Sequence, residues 1–279
     1  MSPTNAELPT VPDSQQMGEG KEYPQPRAAS SFQRILAQGK YETLAMLKNG
    51  EQLMLNIAFP VMALFGLRYT SFLDSYADAL NTTRINVAVP GVLALCVVST
   101  ALSGQGIATG FDRRYGVLRF LSTTPLGRNG LIIGKVLAVI TVIAIQFIMV
   151  TIVGFGLGWR PDIFAMYRSF STLLLGAAAF TALGLLVAGS VRAEATLAIV
   201  NIAWVVLASA GGILIPIDNF PELYRIILLC LPSGALGEAI RGDYLQDLFL
   251  PLPHAVLLVW TLVIGFIASR TFTWSDLRS

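Results

Sequence analysis

Acidic and basic residues are missing from five long stretches of this chain. Residues 85–111, 136–159, 169–191, 195–217 and 248–269 contain no Asp, Glu, Lys or Arg. A helix needs about 20 mostly apolar residues to cross the hydrocarbon layer of a membrane, and each window is long enough. A sixth, 52–67 (QLMLNIAFPVMALFGL), is shorter. Arg68 at its end can snorkel, the apolar pattern resumes through Tyr69 and Phe72, and Pro60 predicts a kink. Backbone groups in lipid must be satisfied within the protein. The expected fold class is therefore an all-α membrane protein with six transmembrane helices, at about 52–70, 86–110, 130–157, 169–191, 195–215 and 251–270. Composition agrees, since 54% of the residues are hydrophobic and 13% charged, where soluble domains carry about 25% charge.

Between the fifth and sixth spans, IILLCLPSGALG (226–237) is too short to cross, and Pro232, Gly234 and Gly237 interrupt it. It follows the turn-rich PIDNFPE (216–222). A re-entrant half-helix segment over 219–245, entering and leaving on one side, fits this pattern. Residues 1–29 are polar with five prolines and read as a disordered tail. They contain no apolar core of a cleavable leader.

Lys and Arg set orientation. With six spans, the termini and alternate loops collect 13 of the 19 basic residues. That side is expected to be cytoplasmic, which places both termini there in a multi-pass protein of the cell membrane. The richest loop is FDRRYGVLRFLSTTPLGRNGLIIGK (111–135), with Arg113, Arg114, Arg119, Arg128 and Lys135 against Asp112 alone. Topology alone could account for these arginines. A short helix over 111–121 would put Phe111, Tyr115 and Leu118 on one side and Asp112 and Arg119 on another. Thr124-Pro125 would end it. Residues 32–48 form an amphipathic pattern, with Phe32, Ile35, Leu36, Gly39, Thr43, Met46 and Leu47 on one face, as in a helix lying on a lipid surface.

The 111–135 stretch resembles the signature region of ABC-2-type permeases, the membrane subunits of one class of ABC exporter. Asp112, Arg113, Arg114, Gly116, Leu118, Leu121, Thr124, Pro125, Leu126, Arg128, Gly134 and Lys135 match that pattern. Val117 stands where Thr is common and Asp112 where Glu is common. The resemblance spans the interfacial helix, the six spans and the broken segment, from about Phe32 to the C-terminus. The chain is also similar in style to actinobacterial antibiotic and multidrug export permeases. The resemblance implies that the 111–128 loop is a coupling loop seated in a separate ATPase subunit, with Phe111, Asp112, Arg113, Arg114, Tyr115 and Gly116 in contact. It also implies a second permease subunit, identical or similar. ATP and Mg would be bound by the ATPase.

Residue by residue, little chemistry is present. Around Gly134-Lys135 the phosphate-loop pattern fails, with Asn at 129 and Val at 136, so no cofactor is expected in this chain and it is not read as an enzyme. One His, His254, supports neither a metal cluster nor a nucleophilic triad. Cys96 and Cys230 read as small core residues. Asn56, Ser99, Ser103, Gln105, Gln146 and Asn201 lie within spans. They suit helix-to-helix bonding or a substrate path. A neutral interior fits an amphipathic or lipid-like cargo, such as a drug, antibiotic or glycolipid. The spans show no Asp or Glu to carry protons, and the mixed charges of 218–247 read as a solvated outer surface. Gly106-x-x-x-Gly110 and Gly184-x-x-x-Ala188 offer close-packing faces. Membrane lipid is an expected partner and nucleic acid is not. A secondary transporter and a lipid-processing membrane enzyme are the alternatives; the first would need intramembrane carboxylates, the second clustered Asp, His or Lys.

Overall fold

A computed structural model describes residues 29–50 and 54–271 of the chain. The tail expected over 1–29 lies outside these residues, apart from Ala29. Every regular element among the described residues is helical. Helix α1 spans Ser31–Lys48. A π turn, Met54–Ala58, leads into α2 (Phe59–Tyr69). Pro60 falls in the first turn of α2, where its missing N–H breaks no helical bond, so the irregularity expected at Pro60 lies just before it. A short α3, Asp74–Ala79, precedes α4 (Arg84–Val97). A second π stretch, Val98–Gly104, joins α4 to α5 (Gln105–Arg114).

Next come α6 (Val117–Ser122), α7 (Gly127–Gly156) and α8 (Ile163–Ser190). Asp162 caps α8 by accepting from the backbone N–H groups of Phe164 (2.7 Å) and Ala165 (3.1 Å), which satisfies two otherwise orphaned donors. After α9 (Ala193–Ala210) follow α10 (Glu222–Cys230), α11 (Pro232–Arg241) and a third π turn, Gly242–Gln246. Helix α12 (Pro251–Thr271) ends the described chain.

Among the described residues, five helices are long and apolar enough to cross a membrane: the α4–α5 unit, α7, α8, α9 and α12. The pair α10 and α11, bent by 95°, forms either a sixth broken span or a re-entrant loop. The α4–α5 unit is buried almost throughout, whereas α9 and α12 expose most of their apolar side chains. An apolar helix surface left uncovered by protein is what lipid requires. The centre of the core is therefore α4–α5, with Val92, Leu93, Leu95, Val97 and Val98 fully enclosed. Helix α12 lies along α8, and α1 lies along α7.

Small residues let these helices meet. A Cβ on Gly184 would stand 2.9 Å from the Leu102 carbonyl oxygen and 3.0 Å from that of Ala101, and Gly106 faces Gly184 at the same crossing. The Gly184→Leu variant is therefore expected to unfold at a lower temperature in detergent, by overpacking worth about 1–3 kcal/mol. An unchanged midpoint would show that the crossing can widen freely.

The broken segment differs from its sequence reading. Pro232 does break it, pushing the residue before it out of helical geometry and starting α11 at the position that tolerates proline, but Gly234 and Gly237 do not. The break is at Leu231, which is extended. Gly234 and Gly237 sit inside α11 because backbone passes close by: a Cβ on either would collide with the Leu228 or the Gly212 carbonyl oxygen.

Candidate functional site

The 111–128 loop sits at one end of the bundle, called here the loop end. It does not form the single helix expected over 111–121. Helix α5 runs on through Phe111, Asp112, Arg113 and Arg114, and the chain breaks at Tyr115 and Gly116. Gly116 adopts φ 75°, a left-handed conformation open to glycine at little cost. Helix α6 then starts at Val117. Asp112 and Arg119 are thus on different helices.

This break divides the basic loop into an inner and an outer set. Asp112 points inward: its Oδ2 accepts from Lys135 Nζ at 3.0 Å. The same ammonium lies 2.9 Å from Glu42 Oε1 on α1, and Gln38 donates to that oxygen at 2.9 Å. The Lys135 side chain is 1% exposed and that of Glu42 8%. One buried cation thus joins α1, the end of α5 and the start of α7. Arg113 is buried and donates to the Val191 carbonyl between α8 and α9.

The outer set faces outward. Tyr115 and Phe120 are 72% and 70% exposed. Arg114 pairs with Glu194 of α9 at the surface. Leu118 turns inward and packs with Leu131 and Leu185, which fixes α6 against the bundle. Arg34 of α1 bonds the Pro125 carbonyl, tying α1 to the far side of the loop.

Above the loop lies a cavity of about 250 Å³ lined by Asn49, Asn56, Ser99, Ser103, Gly104, Ile107, Phe111, Leu197, Asn201 and Trp204. Its polar groups are neutral amides and hydroxyls. Ser103 donates to Asn201 Oδ1 at 3.2 Å, and Trp204 Nε1 donates to Ser99 Oγ at 2.7 Å. Asn56, Ser103 and Asn201 are thus brought together. Gln105 and Gln146 are fully buried and lie apart from the cavity wall. Gln146 accepts from Thr100 at 3.0 Å and donates to the Asn56 carbonyl; Gln105 reaches only Thr109, at 3.5 Å. These two act as links between and within helices. Among the described residues, no group of three His, Cys, Asp or Glu could hold a metal ion.

A family model described as "ABC-2 type transporter" matches residues 33–245. The chain belongs to the ABC-2 type transporter family. This ABC-2 chain is an integral membrane component of a transporter, and members of its family work with an ABC ATPase. The match covers α1, the loop, the cavity and the broken segment. No curated protein matches the chain.

Several features of this ABC-2 chain were not read from its sequence. Glu42 is buried on α1 beside Gln38, Gly39 and Met46, whereas Phe32 and Leu36 of the face expected to meet lipid are exposed, at 74% and 54%. The available signal was Lys135, a lone charge at the head of a charge-free window, which calls for a carboxylate partner. The charges of 218–247 were read as solvated, yet Arg241 and Asp243 are each 1% exposed. His254 is half-buried and contacts Thr172 and the Leu250 carbonyl. Of the cysteines, Cys96 is buried and Cys230 exposed.

Proposed function

We propose that this chain is the permease subunit of an ATP-driven exporter that moves an amphipathic or lipid-like cargo, a drug, antibiotic or glycolipid, across the cytoplasmic membrane. In this reading both termini and the loop end are cytoplasmic. A separate ATPase subunit binds ATP and Mg and seats the elbow formed by the end of α5, Gly116 and α6. A second permease subunit, the same or similar, completes the pathway.

The observation that carries the reading is the division of the loop. Aromatic Tyr115 and Phe120 project outward with exposed Arg119 between them, while Asp112, Arg113 and Leu118 hold the elbow rigidly to α1, α7 and α8. Exposed aromatic and Arg side chains on a rigid base are the chemistry of an interface anchor. Movement of the elbow reaches α1 and α7 through Lys135. Differential contact of the ATPase with the elbow in its ATP-bound and free states would shift the bundle between two arrangements. The neutral cavity beside the elbow is suited to an apolar cargo with a few hydrogen-bonding groups.

The test is co-purification of the tagged chain with an ATPase from its own host in mild detergent. Tyr115→Ala with Phe120→Ala is expected to cut the recovered ATPase at least tenfold, the size of about two interface anchors, with the unfolding midpoint unchanged. Full recovery of ATPase by the double variant would remove the elbow from the interface. No ATPase with the folded wild-type chain would overturn the reading itself.

A further inference from the structure

At the end of the bundle opposite the loop, three elements meet on a buried polar cluster. Thr172 and Arg168 come from α8, Asp243 from the π turn after α11, and His254 from α12. The Asp243 side chain is 0% exposed. Thr172 Oγ1 lies 2.8 Å from Asp243 Oδ2 and 3.0 Å from His254 Nε2, with the Arg168 carbonyl oxygen at 3.2 Å. His254 Nδ1 is 2.7 Å from the Leu250 carbonyl oxygen.

The hydrogens can be counted. A carbonyl oxygen only accepts, so His254 Nδ1 donates to Leu250 and a neutral ring leaves Nε2 as an acceptor. Thr172 has one hydroxyl hydrogen. An ionised Asp243 would present a second acceptor to the same hydroxyl, and one of the two short contacts would then have no hydrogen in it. One more proton resolves the conflict. It can sit on Asp243, giving a neutral pair, or on His254, giving two buried charges.

The surroundings favour the neutral pair. Asp243 Oδ1 is buried and accepts no hydrogen bond, which is costly for a carboxylate. Arg168 is the nearest cation, but its Nε stands 3.8 Å from that oxygen, beyond hydrogen-bond reach. Its guanidinium is directed at Asp247 and at the backbone carbonyl of Asp243, so Arg168 and Asp247 neutralise each other. The other groups facing the cluster are uncharged. Tyr244 bonds through its hydroxyl to Ser169 at 2.5 Å and packs edge-on against Trp159, and Phe249 packs at a tilt against the His254 ring.

We propose that Asp243, Thr172 and His254 form a one-proton site, with the proton carried by Asp243, that pins the α10–α11 hairpin to α8 and α12. Asp243 Oδ2–H donates to Thr172 Oγ1, and Thr172 Oγ1–H donates to His254 Nε2. When Thr172 passes its hydrogen to Nε2 it takes the one from Asp243, leaving carboxylate and imidazolium with no net change of charge.

The test needs neither ATP nor cargo, so it is independent of the exporter reading. His254 is the only histidine in the chain, so nitrogen-15 histidine NMR on protein carrying a histidine-free tag reports this ring alone. At neutral pH the expected spectrum is a neutral ring with Nδ1 protonated and Nε2 accepting. Infrared spectra are expected to contain a carboxylic-acid C=O band that disappears in Asp243→Asn and shifts in Thr172→Val. The Asn amide can donate to Thr172 as the acid does, so Asp243→Asn is expected to keep the unfolding midpoint within about 2 °C. A protonated Nε2, or no acid band assignable to Asp243, overturns the proposal. So does a large loss of stability or failure to fold in Asp243→Asn, since that is how an ionised partner of Arg168 would behave.

Discussion

Replacing Lys135 by Met is expected to lower the unfolding free energy of the detergent-solubilised protein by about 3–5 kcal/mol, the loss typical of breaking a buried ion pair. Two carboxylates, Glu42 and Asp112, converge on this single ammonium at 2.9 and 3.0 Å. Without it, Glu42 remains buried, with Gln38 its one hydrogen-bond donor among the described residues, and faces Asp112 with like charge. Met retains most of the stem volume, so packing loss contributes little. The contact joins elements 23 residues apart along the chain on one side and α1 on the other, so its loss removes one tie of α1 to each. The check is a cycle of three proteins studied by denaturant unfolding in the same micelle. Lys135→Met alone should be the least stable. Lys135→Met with Glu42→Gln and Asp112→Asn should regain most of the loss, because the cost lies in the unpaired charges and not in the missing bond. If the triple variant is no better than the single one, the triad is not held by charge.

The helices and their order are legible in the sequence because lipid imposes a simple rule. Five charge-free windows give five apolar helices, and the polar breaks between them give the turns. The broken segment is legible as broken, since 226–237 cannot cross. What the sequence does not show is which way a charged side chain faces. Arg113, Arg114 and Asp112 are adjacent, yet one bonds a carbonyl between α8 and α9, one lies at the surface and one meets Lys135 inside. A helix turns 100° per residue, so neighbours separate by geometry alone. The Gly116 break could not be placed because α5 was expected to end at the membrane boundary, whereas it extends to Arg114. Glycine at 234 and 237 carried two meanings, helix breaker or close approach, and only the paths of Leu228 and Gly212 beside them decide between the two. The buried Asp243 was hidden for a related reason: a charge-rich loop reads as solvated unless its backbone is seen to fold back into the bundle.

That folding back depends on Arg241, and the Arg241→Met variant is expected to detach it. The Arg241 side chain is 2% exposed. Its guanidinium donates to the Gly212 carbonyl at 3.0 Å, to the Ile213 carbonyl, and to Glu238 Oε1 at 2.9 Å. It thereby satisfies backbone acceptors of the irregular stretch after α9, which are in no helix and have few other donors within the bundle. Nearby, burial pushes the Tyr76 phenol up, and the Arg241 charge opposes that shift. Removing Arg241 leaves two carbonyls and the Glu238 carboxylate without their donor. At about 1.5–3 kcal/mol for each hydrogen bond to a charged group, the loss rivals that at Lys135. Lysine should not rescue it, because one ammonium on a flexible stem cannot reach the separate acceptors as the planar fork does. The expected result is a lowered midpoint in both Arg241→Met and Arg241→Lys. Faster amide exchange should be confined at first to residues 211–217 and to α11. Uniformly faster exchange across α7 and α8 in these variants would instead mean that Arg241 supports the whole bundle and that the hairpin is not a separate unit.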